Sequence, residues 1–192
     1  ATSRGIFFYA YGPKTWTYIS AGYFYHRSNP YSDYGYYYLS DTDETLPPLE
    51  KTGTPEAPET PSTTFIERAY HEEDLASPGG TGHVLLGEDF RLTPTQTFKF
   101  ALRDRADDNV KFECKFVAKT YNQASILKFT ANGKELEYKA TDRIGPTAVS
   151  AAVFGTSTTT RKSFPLESDN LDLTIEYNSA GTVYLARLDY ID

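Results

Sequence analysis

Apolar and polar residues alternate with a period of two through most of this chain. Val110, Phe112, Cys114, Phe116 and Ala118 alternate with Lys111, Glu113, Lys115, Val117 and Lys119, the signature of a strand with one face in a core and one in water. The pattern predicts that Cys114 points inward. Leu171, Leu173, Ile175 and Tyr177 alternate with Asp172, Thr174, Glu176 and Asn178, and Tyr184, Ala186, Leu188 and Tyr190 share one face of a final strand. Between these two strands Ser179-Ala180-Gly181 predicts a turn, and so a hairpin. Another hairpin is predicted over Ile126 to Tyr138, where Asn132-Gly133 supplies the two positive φ angles of a type I′ turn. Phe98 to Leu102 is a short strand closed by the charged turn Asp104 to Asn109. Ala148 to Phe154 is an apolar run before a Thr-rich loop at 156 to 160, and Ala69 to Leu75 hints at a helical turn. Short strands joined by long polar connections predict an all-β fold, a jelly-roll-like antiparallel sandwich over residues 64 to 192.

Ahead of that unit the pattern changes twice. Tyr23 to Leu39 carries an unusual density of tyrosine, a residue with a large apolar body and a hydroxyl that can stay wet, suited to edge strands, sugar platforms and protein interfaces. Asp41 to Thr63 instead holds Pro47, Pro48, Pro55, Pro58 and Pro61 with six acidic residues and one lysine, too few apolar groups to offset the entropy of ordering. The expected organisation is therefore a Tyr-rich β segment at 1–40, a linker or mobile loop at 41–63 and the sandwich at 64–192. Forty residues are too few to hold a core alone, so the first segment needs a partner, in the sandwich or elsewhere.

Composition narrows the function classes. The chain has 192 residues, 39% hydrophobic and 15% aromatic, with a net charge of −7 and a pI near 5.0. The scattered 19 Lys and Arg form no basic stripe, which argues against a nucleic-acid partner, and no apolar run is long enough to span a bilayer. The chain contains no Met and starts almost directly in the apolar run Ile6 to Tyr9, and its last strand pattern reaches Asp192; both ends read as cut from a longer, processed protein.

Candidate chemistry adds little. A thiol between two phenylalanines on a core face lacks the access and lowered pKa of a nucleophile. His26, His71 and His83 are far apart, without the spacing or Cys partners of a zinc site, and read as surface or structural residues. Asp41-Thr42-Asp43-Glu44 has alternate carboxylates but neither the Gly nor the closing Glu of an EF-hand. Glu72, Glu73, Asp74, Glu88 and Asp89 offer acids for glycoside hydrolysis only if the fold sets two of them across a cleft. Gly79-Gly80-Thr81-Gly82 has no Gly-Lys-Ser/Thr after it and reads as a turn rather than a phosphate loop. No metal or cofactor is expected.

Three stretches, in order, carry a family resemblance: Phe7-Phe8-Tyr9-Ala10-Tyr11-Gly12-Pro13-Lys14-Thr15-Trp16, then Phe24 to Leu39 with its His26, Asn29, Tyr31, Ser32, Asp33 and following run of Tyr, then Leu85-Leu86-Gly87-Glu88-Asp89-Phe90. Together they resemble the region upstream of the peptidase domain in the PorU family, the gingipain-like cysteine peptidases that serve as sortases of type IX secretion. The resemblance covers most of the chain, although residues 148 to 190 match in strand pattern alone and the loop after Leu39 is longer and richer in Pro and acid. It implies a secreted surface protein, associated with the outer membrane, whose full length cleaves C-terminal sorting signals and attaches cargo to lipopolysaccharide. The family's catalytic Cys and His lie in a downstream domain, so Cys114 and the three histidines inherit no role. This chain is then expected to be a non-catalytic scaffold that supports the downstream peptidase domain or docks a secretion partner such as PorV. Trp16, Tyr25, Tyr31, Tyr34 and Tyr37 are the expected interface residues, since Tyr and Trp give large contact area at low entropic cost. The alternative is a carbohydrate-binding jelly-roll module that stacks sugars on Trp16 and the Tyr cluster.

Overall fold

The computed structural model describes residues 10–29, 31–39, 53, 56, 60–80, 82–144 and 154–192. Ten strands are placed: β1 Thr15–Ser20, β2 Tyr23–Arg27, β3 His71–Glu72, β4 Thr95–Ala101, β5 Asn109–Tyr121, β6 Ile126–Ala131, β7 Lys134–Ala140, β8 Thr156–Pro165, β9 Asn170–Asn178 and β10 Thr182–Ile191. β1 and β2 form a separate two-stranded ribbon. The other eight build two four-stranded antiparallel sheets, ordered β3-β10-β5-β8 and β4-β9-β6-β7.

These two orders have a simple origin. The first of the eight strands pairs with the last, β3 with β10; the second with the seventh, β4 with β9; the third with the sixth, β5 with β8; and the middle two, β6 and β7, pair with each other. A single antiparallel ribbon rolled up on itself gives this arrangement, which is the jelly roll. The chain is all-β, as its alternation predicts.

The core lies between the sheets. Phe112, Cys114, Phe116 and Ala118 of β5 face Leu127 and Phe129 of β6 and Leu171, Leu173 and Ile175 of β9, with Phe90 and Leu188 closing one side. Phe112 meets Phe129 at 5.4 Å between ring centroids and Phe116 stacks on Tyr177 at 5.6 Å. Cys114 is fully buried, and burial drives its thiol pKa far above the ordinary value. Tyr177 also carries a hydroxyl into this core, where Ser125 Oγ lies 2.7 Å and Thr120 Oγ1 3.1 Å from it, so the buried oxygens satisfy one another.

Four local readings differ from the structure. Residues 171–178 and 182–191 are not a hairpin: β9 and β10 lie in opposite sheets, and Ser179 to Gly181 forms an arch between them. Gly181 packs so closely there that a Cβ would sit 2.7 Å from the Tyr121 carbonyl oxygen. The Thr-rich run is the start of β8 rather than a loop; Thr158 and Thr160 point inward and their β-branched side chains suit a strand. His71–Glu72 is a short strand on the edge of β10, not a helical turn. The outer face of β5 is only partly wet, because Glu113 and Val117 are buried. Of the Ala148 to Phe154 run only Phe154 lies within the described residues, and Asp41 to Glu44 lie outside them. Asn132-Gly133 turns β6 into β7 with φ of 47° and 80°, as its chemistry demands.

Candidate functional site

What covers β5 is the β1–β2 ribbon. Ala21 and Gly22 join its strands with φ of 49° and 81°, the all-positive pair that a tight hairpin requires. Two strands alone are marginal in water, so this ribbon depends on docking. Docking is polar as well as aromatic. The Lys111 ammonium on β5 donates to the Ala21 carbonyl, Arg161 of β8 lies 5.9 Å over the Tyr23 ring, and Tyr25 meets Tyr190 of β10 at 5.6 Å. Beneath them the Tyr190 hydroxyl donates to Glu113 Oε1 at 2.7 Å, and Arg161 holds the other Glu113 oxygen.

His26 is the centre of the contact. It is 2% exposed; its backbone N–H donates to Asp192 Oδ2 at 3.2 Å, its Nδ1 pairs with Asp192 Oδ1, and its Nε2 lies 2.8 Å from Glu72 Oε2. Burial works against a charge on the ring, but the hydrogen bonds to Asp192 and Glu72 outweigh it and raise the pKa to about 9. An imidazolium therefore clamps β2 to β10 and β3 at neutral pH. Its hydrogen bond holds Glu72 below the usual carboxylate range, while burial pushes Asp192 upward. Trp16, 5.6 Å from His26 and 6.0 Å from Tyr70, roofs the clamp, and Arg68 covers Trp16 and Phe24 in turn.

Beside the clamp opens a cleft of about 400 Å³ walled by Lys14, Ser28, Asn29, Tyr31, Ser32, Asp33, Tyr70, Glu72 and Asp74. The Lys14 ammonium donates to the Tyr70 hydroxyl and lies 4.5 Å over its ring; that bond raises the Lys14 pKa. Burial, with the carboxylates of Glu72, Asp189 and Asp33 nearby, raises Asp74.

The five residues singled out by sequence therefore occupy different settings. Trp16 is half-buried in the clamp's roof and Tyr25 rests on Tyr190. Tyr31 borders the cleft. Tyr34 and Tyr37 belong to an exposed row with Tyr36, Tyr38 and Leu39; Tyr34 N–H is held by Ser32 Oγ, and the Tyr37 hydroxyl donates to the Tyr11 carbonyl. His26, Glu72 and Asp192, which do most to fix this region, were not grouped by sequence reasoning. One signal was present: His26 falls in register with Phe24, on the better covered face of its strand.

Three of the five acids considered for hydrolysis are committed elsewhere. Glu72 serves the clamp, Glu88 binds His71, and Asp89 pairs with Arg91 and Arg187. Among the described residues no group of three or more His, Cys, Asp or Glu is placed to hold a metal ion, and no helix is long and apolar enough to cross a membrane.

No protein-family model matches this sequence, and no curated protein matches it. Among solved structures, the chain is similar to a region of dimeric latent PorU from Porphyromonas gingivalis, with a TM-score of 0.67 at 23% identity over 96% of this chain. It spans 18% of that PorU chain. At that identity the similarity is one of fold. A family 35 carbohydrate-binding module from an environmental isolate aligns at TM-score 0.38 and 13% identity, over 65% of this chain and 80% of the module. The sugar-binding C-terminal domain of EclA aligns at TM-score 0.30 and 13% identity, over 61% of this chain and 88% of that domain.

Proposed function

We propose that this chain is a non-catalytic accessory region of a PorU-like sortase, carried at the cell surface in association with the outer membrane. In this reading it packs on a peptidase domain of the same parent or docks a secretion partner such as PorV. The observation that supports it best is the fold shared with PorU over nearly the whole of this chain, which joins the sequence motifs that resemble the same family. Cys114 fits a non-catalytic role, because a fully buried thiol whose pKa is driven up is neither accessible nor a thiolate. The row Tyr34, Tyr36, Tyr38 and Leu39 supplies the docking face: aromatic area concentrated on one segment beside a well-anchored ribbon.

The test uses both this chain and its parent protein. Purified alone, the chain should leave a peptide carrying a type IX sorting signal intact. In the parent, Tyr34→Ala, Tyr36→Ala and Tyr38→Ala together should lower the yield of processed cargo at the cell surface without lowering the amount of parent protein. Cleavage by the chain alone, or full processing by the triple variant, would overturn the proposal.

A further inference from the structure

Tyr31 is an exposed tyrosine fixed at both ends. The residue is 72% exposed, yet its backbone N–H donates to Asn29 Oδ1 at 3.0 Å and its hydroxyl donates to the Gly82 carbonyl at 3.0 Å. An aromatic face held rigid in solvent has already lost the side-chain freedom that binding would otherwise cost. The cleft beside it is the polar complement of that face. Lys14 and the Asn29 amide supply donors, the Asn29 oxygen being occupied, and Asp33 and Asp74 supply acceptors. Neighbouring groups whose donors and acceptors lie beside an aromatic face are what a pyranose ring demands, since it offers vicinal hydroxyls at its edge and C–H groups on its face.

We propose that the cleft between the β1–β2 ribbon and the 70–74 segment binds a neutral or amino-substituted pyranose, stacked on Tyr31 with its hydroxyls between Lys14, Asn29, Asp33 and Asp74. Charge sets the selectivity. Asp33, Glu72, Asp74 and Asp189 outnumber the cations that meet them, Lys14, the clamp's imidazolium and Lys115 on Asp189, so the site favours ligands that donate protons and repels carboxylated or phosphorylated sugars. A volume of about 400 Å³ admits one ring with part of a second, so the end of a longer glycan and a free monosaccharide are both accommodated. This site is separate from the scaffold reading and does not depend on it; the sortase assay above contains no sugar and reads nothing from the cleft.

The experiment is a titration of the purified chain, followed by NMR chemical shifts, with methyl glucoside, methyl glucosaminide and methyl glucuronide at millimolar concentration, each as monosaccharide and as a β-linked trisaccharide. The first two should shift the resonances of Asn29, Tyr31 and Asp74, and the glucuronide should not. A trisaccharide that binds more tightly than its monosaccharide identifies a polymer end as the ligand; equal affinity identifies a free sugar. Tyr31→Ala and Asp74→Asn should each weaken binding about tenfold, a change worth about 1.4 kcal/mol. Leu92→Ala, at a residue 82% exposed and outside the cleft wall, should leave it unchanged. Tyr31→Phe keeps the face and loses the Gly82 bond, so it should fall between the wild type and Tyr31→Ala, which guards against misreading a folding defect. The proposal is overturned if no neutral or amino sugar shifts the cleft, if the glucuronide binds equally, or if affinity survives Tyr31→Ala.

Discussion

At the scale of single residues, His26 links the sequence to the stability of the assembled surface. Its folded pKa of about 9 stands above the ordinary 6.5, so the stability it contributes is fully present below pH 6.5 and is lost as the pH rises through about 9. With the burial of Asp192 set against it, the contribution is on the order of 2–3 kcal/mol. The depressed Glu72 acts at the other end of the scale: its share is lost as the pH falls through a value below 4.5. Thermal melts of the wild type should therefore decline between pH 6.5 and pH 9, and melts of His26→Gln should be lower and decline less across that window, the remaining slope coming from His71, whose hydrogen bond to Glu88 also raises its pKa. Equal wild-type melting points on both sides of it would refute the charged clamp. None of this was legible beforehand, because the three partners stand 46 and 166 residues apart and each alone looks like an ordinary surface residue.

Elements were legible where their chemistry is local. Asn132-Gly133 can hardly do other than turn a chain, and the long alternation of β5 fixed its inward face, Cys114 included. Ser179 to Gly181 is different: the same small residues serve a hairpin or an arch, and the choice is made by the pairing of β9 with β4 and of β10 with β3 and β5, far away in sequence. The Thr-rich start of β8 misleads for a related reason, since threonine is polar by composition and strand-forming by shape. The β1–β2 ribbon offers a test at this scale. Gly22 has φ of 81°, and a Cβ there would lie 2.6 Å from Lys111 Nζ, so Gly22→Val should strain the turn by about 1–2 kcal/mol and displace the lysine. Hydrogen exchange should speed up in residues 15–27 and stay unchanged in β6 and β9; unaltered ribbon protection would show that the turn is not what positions it.

For the molecule as a whole, the sandwich was expected at 64–192 and the Tyr-rich segment was left in search of a partner. Part of that partner is the sandwich itself, through Tyr190, Glu113, Lys111 and Asp192. A chain starting at residue 64 should consequently expose Tyr190 and leave Asp192 and Glu72 without the imidazolium between them. It should melt several degrees lower than the full chain and bind a hydrophobic dye more strongly, since one or two kcal/mol moves the midpoint of a domain this size by about 2–8 °C. A truncated sandwich as stable as the full chain would make the ribbon a passenger.

The rolled ribbon also sets an order of events in time. β10 sits between β3 and β5, and Asp192 at its end receives His26, so the last strand of the sandwich is the one that seats β2 and β3, which precede it by far in sequence. Pairings of such long sequence separation are slow to form, because the intervening loop must close before any contact rewards it. Until β10 has left the ribosome the β3-β10-β5-β8 sheet cannot be completed and the β1–β2 ribbon has no seat, although β4, β9, β6 and β7 can already pair, so the two faces of the sandwich mature one after the other.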